Sequence, residues 1–243
     1  MRRSLLLIAA AALTLAATAF AGAFPDGPGG PEIAIVNDST VVSDEQLERA
    51  LPGLQRYIDQ VCQAWHCAGL LVIRHPGEAL EREWQIVLND ESEIPDAIGY
   101  HVTEGSRPTG YVSTRTAEDA VVSWTVVFTH ELAEMLVDPE AAAAVQTSSP
   151  WVEPVFTARE ICDPVQGHWY WLSGIRVADF VYRSWFTRGA KGPYDSMRAL
   201  SAPLQLGRQS WKAIFRDGAW TTASTFTAAH AGWDAFGGRR QNR

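Results

Sequence analysis

The stretch Val121–Glu140, VVSWTVVFTHELAEMLVDPE, decides how the rest of the chain is interpreted. Its apolar run predicts a helix that is at least half buried, and it sets His130, Glu131 and Glu134 in the order H-E-x-x-E. Residues four apart on a helix stack on one face, so His130 and Glu134 should point together with Glu131 beside them. This spacing is typical of the metal helix of zinc hydrolases, in which the intervening glutamate handles the proton. The alternative is an ordinary amphipathic helix whose acids face solvent.

The second ligand position of the motif carries a carboxylate where zinc hydrolases usually have an imidazole. Zn²⁺ accepts Asp or Glu oxygen at about 2.0–2.2 Å, so Glu134 is a chemically allowed ligand. The flanking apolar residues indicate that these charges are buried, and buried charges need partners or a metal ion. The motif therefore favours a metal site over a solvated helix.

The N-terminus has the pattern of a secretory signal peptide. Arg2 and Arg3 provide a positive start, Leu5–Ala17 an apolar core, and the small-residue sequence A-F-A ends residues 1–21 at a cleavage site, with Ala23 as the alternative. The apolar core is shorter than the roughly 20 residues that a membrane span needs, although an uncleaved anchor is the alternative interpretation. The mature protein is therefore predicted to be secreted or periplasmic, without stable membrane insertion.

The length and the net charge of the chain indicate how many domains it has and which partners it suits. About 220 residues remain after cleavage, enough for one sizeable domain, which we place at 33–235 between a flexible leader at 22–32 and a disordered tail at 236–243. Loss of the two N-terminal arginines takes the formal net charge from -8 to -10. Such an acidic chain is a poor partner for nucleic acid. The sequence makes no prediction of oligomeric state.

The chain has three cysteines, an odd number for an exported protein. Cys62 and Cys67 lie five apart across a predicted helix end, which makes a local disulfide plausible, one that would add little stability through chain entropy. Cys162 would then be an unpaired, buried thiol.

Local patterns predict an α+β arrangement. A capping box at Ser43 and Gln46 precedes a helical stripe of apolar residues that Pro52 interrupts, so the helix should kink or begin near that proline. Short strands are expected at 33–36, 70–73, 84–88, 98–102, 110–113, 169–172 and 175–181. The fourth and fifth of these form a hairpin or an edge-strand pair, and the last two a hairpin. Beyond residue 183 no clear period is visible.

Five blocks of the sequence resemble, in order, a largely uncharacterised group of bacterial and phage proteins. The blocks are AIGYHVTEGSRPTGYV, FTHELAEMLVDP, EICDPVQ, VADFVYRSWF and GPYDSMRAL. That group is in turn similar to the zincin superfamily of metallopeptidases. The resemblance implies a zincin-like α+β fold: a twisted mixed sheet with an N-terminal helix, an edge strand beside the cleft, and a central metal-binding helix.

The resemblance also implies roles for individual residues. His130 corresponds to the first zinc ligand, Glu131 to the general base, and Glu134 to the second ligand. A third ligand should come from downstream. Glu160 is favoured because it lies 26 residues after Glu134, and Asp163 follows closely as a ligand or a partner of one.

Two other downstream residues are alternatives for the third ligand. Glu140 lies ten residues after His130, but Val137 stands where the corresponding zincin class has a turn-forming glycine. His168 is a reserve ligand. His101, on the predicted edge strand, could stabilise an oxyanion but is more simply a partly exposed strand residue.

The sequence thus predicts a secreted peptidase-like protein with one Zn²⁺, in which Glu131 takes a proton from a metal-held water and returns it to the leaving amine. Its substrate would be a peptide or protein. Extra anionic ligands reduce the Lewis acidity of a metal, and carboxylate-rich sites also suit harder cations. An inert metal-bound relative, which would serve as a binding module for peptide or glycan, is therefore the main alternative. The second alternative is a structural domain that binds no metal.

Overall fold

The structure of the protein, a computed structural model, describes residues 30–226, apart from 76–77, 79–82, 96 and 105–106. The predicted signal peptide 1–21, most of the leader 22–32 and the tail 236–243 lie outside these residues. Among the helices that are described, none is long and apolar enough to cross a membrane.

The described chain is a mixed α+β fold, with few helices and several short strands. Its helices are α1 (Asp44–Trp65), α2 (Thr114–Asp119) and α3 (Trp124–Val137). Its strands are β1 (Glu32–Asn37), β2 (Leu70–Arg74), β3 (Trp84–Asn89), β4 (Gly99–Glu104), β5 (Arg107–Ser113), β6 (Ala144–Gln146), β7 (Phe156–Ala158), β8 (Trp169–Leu172), β9 (Ile175–Ala178), β10 (Trp211–Arg216) and β11 (Ala219–Ser224).

The main sheet contains five strands in the order β2-β1-β3-β5-β4. Strands β2, β1, β3 and β5 pair in parallel, whereas β4 runs antiparallel to β5 and forms one edge. His101 of β4 lies opposite Gly110 of β5. The predicted edge-strand pair is therefore confirmed, and β4 is its outer member.

Helix α1 begins where its capping box predicts. The Ser43 hydroxyl accepts from Gln46 N at 3.2 Å, and the Gln46 side chain accepts from Ser43 N at 2.8 Å. The helix continues past Pro52 to Trp65, so the alternative start near the proline is wrong. Cys62, in its last turn, and Cys67, just beyond its end, form the predicted local disulfide. Cys162 is a buried free thiol, also as predicted.

Helix α3 is buried on every side. All residues from Thr125 to Leu136 are buried, which contradicts the amphipathic alternative in which its acids face solvent. One side, including Phe128 and Leu132, joins the core against the main sheet and α1. Another, including Val126 and Ala133, joins a second core formed largely by residues 161–206. A helix that is apolar all round belongs in an interior, which explains its place between the two cores.

The C-terminal half contains structure that the sequence patterns did not predict. Strands β6, β7, β10 and β11 form a second, antiparallel sheet in the order β11-β10-β7-β6. Part of this sheet lies beyond residue 183, where the spacing of apolar residues shows no clear period. The predicted hairpin of β8 and β9 is present, with β9 ending at Ala178.

Candidate metal centre

Three segments bring imidazoles and carboxylates into one buried cluster. Helix α3 supplies His130, Glu131 and Glu134, the segment after β7 supplies Glu160 and Asp163, and edge strand β4 supplies His101. None of the six side chains is more than 8 % exposed. Buried His, Glu and Asp groups of this kind could hold a metal ion.

The donor atoms of His130, Glu134 and Asp163 lie within 4.8 Å of one another, and the two distances from His130 match those of a tetrahedral site. His130 Nε2 lies 3.3 Å from Glu134 Oε2 and 3.3 Å from Asp163 Oδ1. In a tetrahedral site with bonds of about 2.0 Å, ligand atoms lie about 3.3 Å apart. The structure therefore brings Asp163, and not the favoured Glu160, to His130.

The backbone after β7 fixes Glu134. Its Oε1 accepts from Cys162 N at 3.1 Å and from Asp163 N at 3.3 Å, which leaves Oε2 facing His130. The same two residues begin a 3₁₀ turn, Asp163–Val165, closed by Val165 N donating to Cys162 O. The carboxylate on α3 and the downstream acid are thus tied together by hydrogen bonds that need no ion.

Edge strand β4 lies directly against Glu131. A Cβ on Gly99 would come within 2.8 Å of Glu131 Oε1, so only glycine allows this approach. Two residues on, His101 Nδ1 lies 3.5 Å from Glu131 Oε2. Glu131 Oε1 is buried and accepts no hydrogen bond from any described residue. An oxygen in this condition is available to a proton, a water or a cation.

Glu160 lies on the His101 side of the cluster. His101, Glu134 and Glu160 each offer a ligand atom, and these atoms lie within 4.8 Å of one another. Glu134 belongs to this set and to the His130–Asp163 set as well. The cluster therefore contains two overlapping groups of donors that share one carboxylate.

Electrostatics at the site show how strongly negative it is. Burial lowers the pKa of His130, but the charge of Glu134 and the hydrogen bond with Asp163 outweigh burial and raise it well above its ordinary value. Burial likewise opposes protonation of His101, yet Glu131 and Glu160 raise its pKa to about 10. Both imidazoles thus attract protons, and a cation would compete with those protons for the same atoms.

The pKa values of the acids are shifted in different directions, although burial raises each of them. Burial raises the pKa of Glu131, partly opposed by His101. Burial and the charge of Glu134 raise the pKa of Asp163 well above its ordinary value. Glu134 is the exception, because His130 outweighs burial and lowers its pKa. Of these three acids, Glu134 is therefore the only one whose charged form the site favours.

The two alternative third ligands, Glu140 and His168, lie outside the cluster. Asp138 has a structural role. Glu140 is exposed beyond the end of α3. His168, the reserve ligand, faces Asp179, with 3.9 Å between its Nδ1 and Asp179 Oδ2. Asp138 accepts hydrogen bonds from Ala142 N and Ala143 N, so it closes the turn after the helix.

His101 is the residue that the sequence interpretation undervalued. We expected a partly exposed strand residue, but its side chain is only 5 % exposed and lies among the acids. The sequence signal for the position of His101 is the alternation of side chains along the edge strand. Gly99, His101 and Thr103 all face α3, since Thr103 Oγ1 donates to Pro139 O at 2.9 Å. A small residue followed by His at strand spacing indicates a face turned toward the helix.

Comparisons of the chain with family models, with curated proteins and with solved structures give no match.

Proposed function

We propose that the protein is an exported, zinc-dependent, peptidase-like hydrolase with a zincin-like fold. The observation that carries this proposal is the set of donors on His130, Glu134 and Asp163, in which both distances from His130 are those of a tetrahedral site, beside the buried carboxylate of Glu131. The order of elements supports it. The N-terminal helix α1 and a mixed sheet with an antiparallel edge strand precede α3, and β4 runs alongside that helix.

A divalent cation bound by His130, Glu134 and Asp163 would polarise a substrate carbonyl and lower the pKa of a water molecule. The chain itself supplies the remaining parts. Glu131 accepts the proton from the water at its carboxylate and later delivers it to the leaving amine. Burial raises the pKa of Glu131, which makes it a stronger proton acceptor than an exposed glutamate. Gly99 keeps β4 close enough to hold that carboxylate in place.

Zinc is proposed because the donor set combines one imidazole with carboxylates at tetrahedral spacing. The same carboxylates donate negative charge and thereby weaken the Lewis acidity of the ion. A peptide or protein is the proposed substrate, in keeping with a chain whose N-terminus has the features of an export signal.

Replacing Glu131 by Gln tests the mechanism. The amide cannot accept the proton, so we expect cleavage of a broad peptide library to fall at least 100-fold, while elemental analysis shows unchanged metal content. Glu140→Gln is the matched control, since it removes an exposed acid. Wild-type cleavage by the Glu131 variant would remove that residue from the mechanism.

The alternative is a metal-bound but catalytically inactive module that binds peptide or glycan. Exposed aromatic residues favour it. Trp169 and Trp171 share a face of β8, and the Arg176 guanidinium lies 5.1 Å and 5.6 Å from their ring centroids. Exposed, pre-arranged indole rings are suited to stacking on sugars or aromatic side chains.

The two functions are separated by combining assays on the same preparation. The inactive module predicts no peptide cleavage in the zinc-loaded wild type, together with glycan-array or peptide-array binding that Trp171→Ala removes. Cleavage that survives Trp171→Ala and is lost in Glu131→Gln supports the hydrolase.

A further inference from the structure

Glu134 is shared by two groups of donors, and only one of them is used by the proposed hydrolase. The second group consists of His101, Glu134 and Glu160, whose ligand atoms lie within 4.8 Å of one another. All three come from separate elements, and all are buried.

The orientation of His101 prepares it to bind a cation. Its Nε2 lies 3.3 Å from the carbonyl oxygen of Asp138, which can only accept a hydrogen bond, so Nε2 carries the proton. Nδ1 is therefore the ring atom that a cation can bind, in place of a proton. A backbone carbonyl that fixes the outer nitrogen of a histidine is the usual support of an imidazole ligand.

The cluster also contains more potential ligands than one ion uses. Four carboxylates, those of Glu131, Glu134, Glu160 and Asp163, are buried together with two imidazoles. The first ion would use His130, Glu134 and Asp163, which leaves His101 and Glu160 next to the shared Glu134.

The position of Glu131 is a separate indication. Its Oε1 is buried, accepts no hydrogen bond from any described residue, and lies against β4 beside His101. Its Oε2 lies 3.5 Å from His101 Nδ1. The carboxylate is thus held at the second group of donors with one oxygen free to bind.

We infer that the cluster holds two divalent cations: the second is bound by His101 Nδ1, Glu160 and the Glu134 carboxylate, which it shares with the first ion. This inference builds on the first ion of the proposed function. Sites with two ions joined by a carboxylate typically hold them about 3.5–4 Å apart. A second ion would explain why this site has so many acids.

Zinc stoichiometry tests the inference. Full-length mature protein is saturated with Zn²⁺, passed through gel filtration and analysed for zinc per chain. We expect two ions in the wild type, one in His101→Ala and one in Glu160→Gln, with two retained in the exposed-acid control Glu140→Gln. Circular dichroism melting checks folding, and the two variants serve as substitutes if one of them does not fold. One ion in the wild type, or two in both variants, would overturn the inference.

Paramagnetic resonance of the Mn²⁺-loaded protein provides a second readout. Two ions that share the Glu134 carboxylate should give an exchange-coupled spectrum, which His101→Ala converts to that of an isolated Mn²⁺. An uncoupled wild-type spectrum at two ions per chain contradicts the shared ligand.

The outcomes also separate this inference from the proposed function. No bound metal contradicts both, whereas one ion with peptide cleavage contradicts only the second site. Two ions without cleavage support the second site and contradict the hydrolase.

Discussion

The close approach of strand β4 to helix α3 depends on Gly99, because glycine has no side chain. A Cβ at this position would lie 2.6 Å from Val127 Cγ1 and 2.8 Å from Glu131 Oε1. Both neighbours belong to the buried helix α3, so the added methyl group must push β4 and the helix apart. The distance between the edge strand and Glu131 is therefore set by this glycine.

We expect Gly99→Ala to lower the free energy of unfolding by about 1–3 kcal/mol, as overpacking does, and to reduce peptide cleavage by roughly 10- to 100-fold because Glu131 is displaced. Urea unfolding and turnover measure the two effects. Gly110→Ala in β5 is the control, since the nearest neighbour of its Cβ would be the Ile86 side chain, at 3.1 Å, and not Glu131. Equal losses of turnover in both variants would show that the approach to Glu131 is not the cause.

At the residue scale, the sequence predicts the helix motif and both downstream acids, but not which acid meets His130 or that His101 joins them. The spacing of His130, Glu131 and Glu134 predicts one buried face because helix geometry is local. Which downstream acid meets His130 depends on how the chain returns after β7, and the sequence favoured Glu160 over Asp163. The place of His101 depends on which edge of the sheet lies beside α3, which is a property of topology.

Helix α3 is joined to β9 by a hydroxyl group next to the metal motif. Thr129 Oγ1 accepts from Ala178 N at 2.9 Å and donates to Thr125 O at 2.7 Å, with both ends of the contact buried. This bond connects the helix to the hairpin of the C-terminal half. It therefore helps to hold the two cores in register.

We expect Thr129→Val, which keeps the shape and removes the hydroxyl, to lower the free energy of unfolding by about 1–3 kcal/mol, because Ala178 N loses this acceptor inside the protein. Chemical denaturation gives the value. The matched control Thr222→Val lies on exposed β11 and should change stability by less than about 0.5 kcal/mol. A loss in the control as large as that in Thr129→Val would argue against the buried bond.

Element prediction succeeded where patterns were long or strongly apolar. The capping box located α1, and the β-branched strands of the main sheet stood out. Strands β6 and β7 have only three residues each, too few to show alternation. Strand β11, AWTTAS, is mostly small and polar on a largely exposed edge, so its pairing with β10 is set by the tertiary fold.

A second pair of buried acids affects the stability of the whole molecule. Asp179 and Asp195 are both buried, and burial followed by the charge of Asp195 raises the pKa of Asp179 to about 7, although the hydroxyl of Ser196 opposes this. His168 faces the same carboxylate. Between the ordinary pKa of 3.8 and about 7, folded Asp179 keeps a proton that the unfolded chain releases. Its contribution to stability therefore decreases as the pH rises through this window.

We expect Asp179→Asn, which cannot ionise, to gain stability relative to the wild type as the pH is raised from 5 to 8. Urea midpoints of both proteins at the two pH values give the difference. The exposed acid Asp217, changed to Asn, serves as the control and should show no such trend. A difference between Asp179→Asn and the wild type that is the same at both pH values would contradict the raised pKa.

The depth of the metal cluster has a kinetic consequence for the whole protein. Because none of its six side chains is more than 8 % exposed, neither a chelator such as EDTA nor a peptide substrate can reach a bound ion until the surrounding chain opens. Release has to wait for the surrounding chain to open, and such local openings occur at rates that the protein sets. We therefore expect the rate of zinc loss, followed with a colorimetric indicator, to level off as EDTA concentration increases. A rate that rises in proportion to EDTA throughout would mean that the ion sits within reach of solvent.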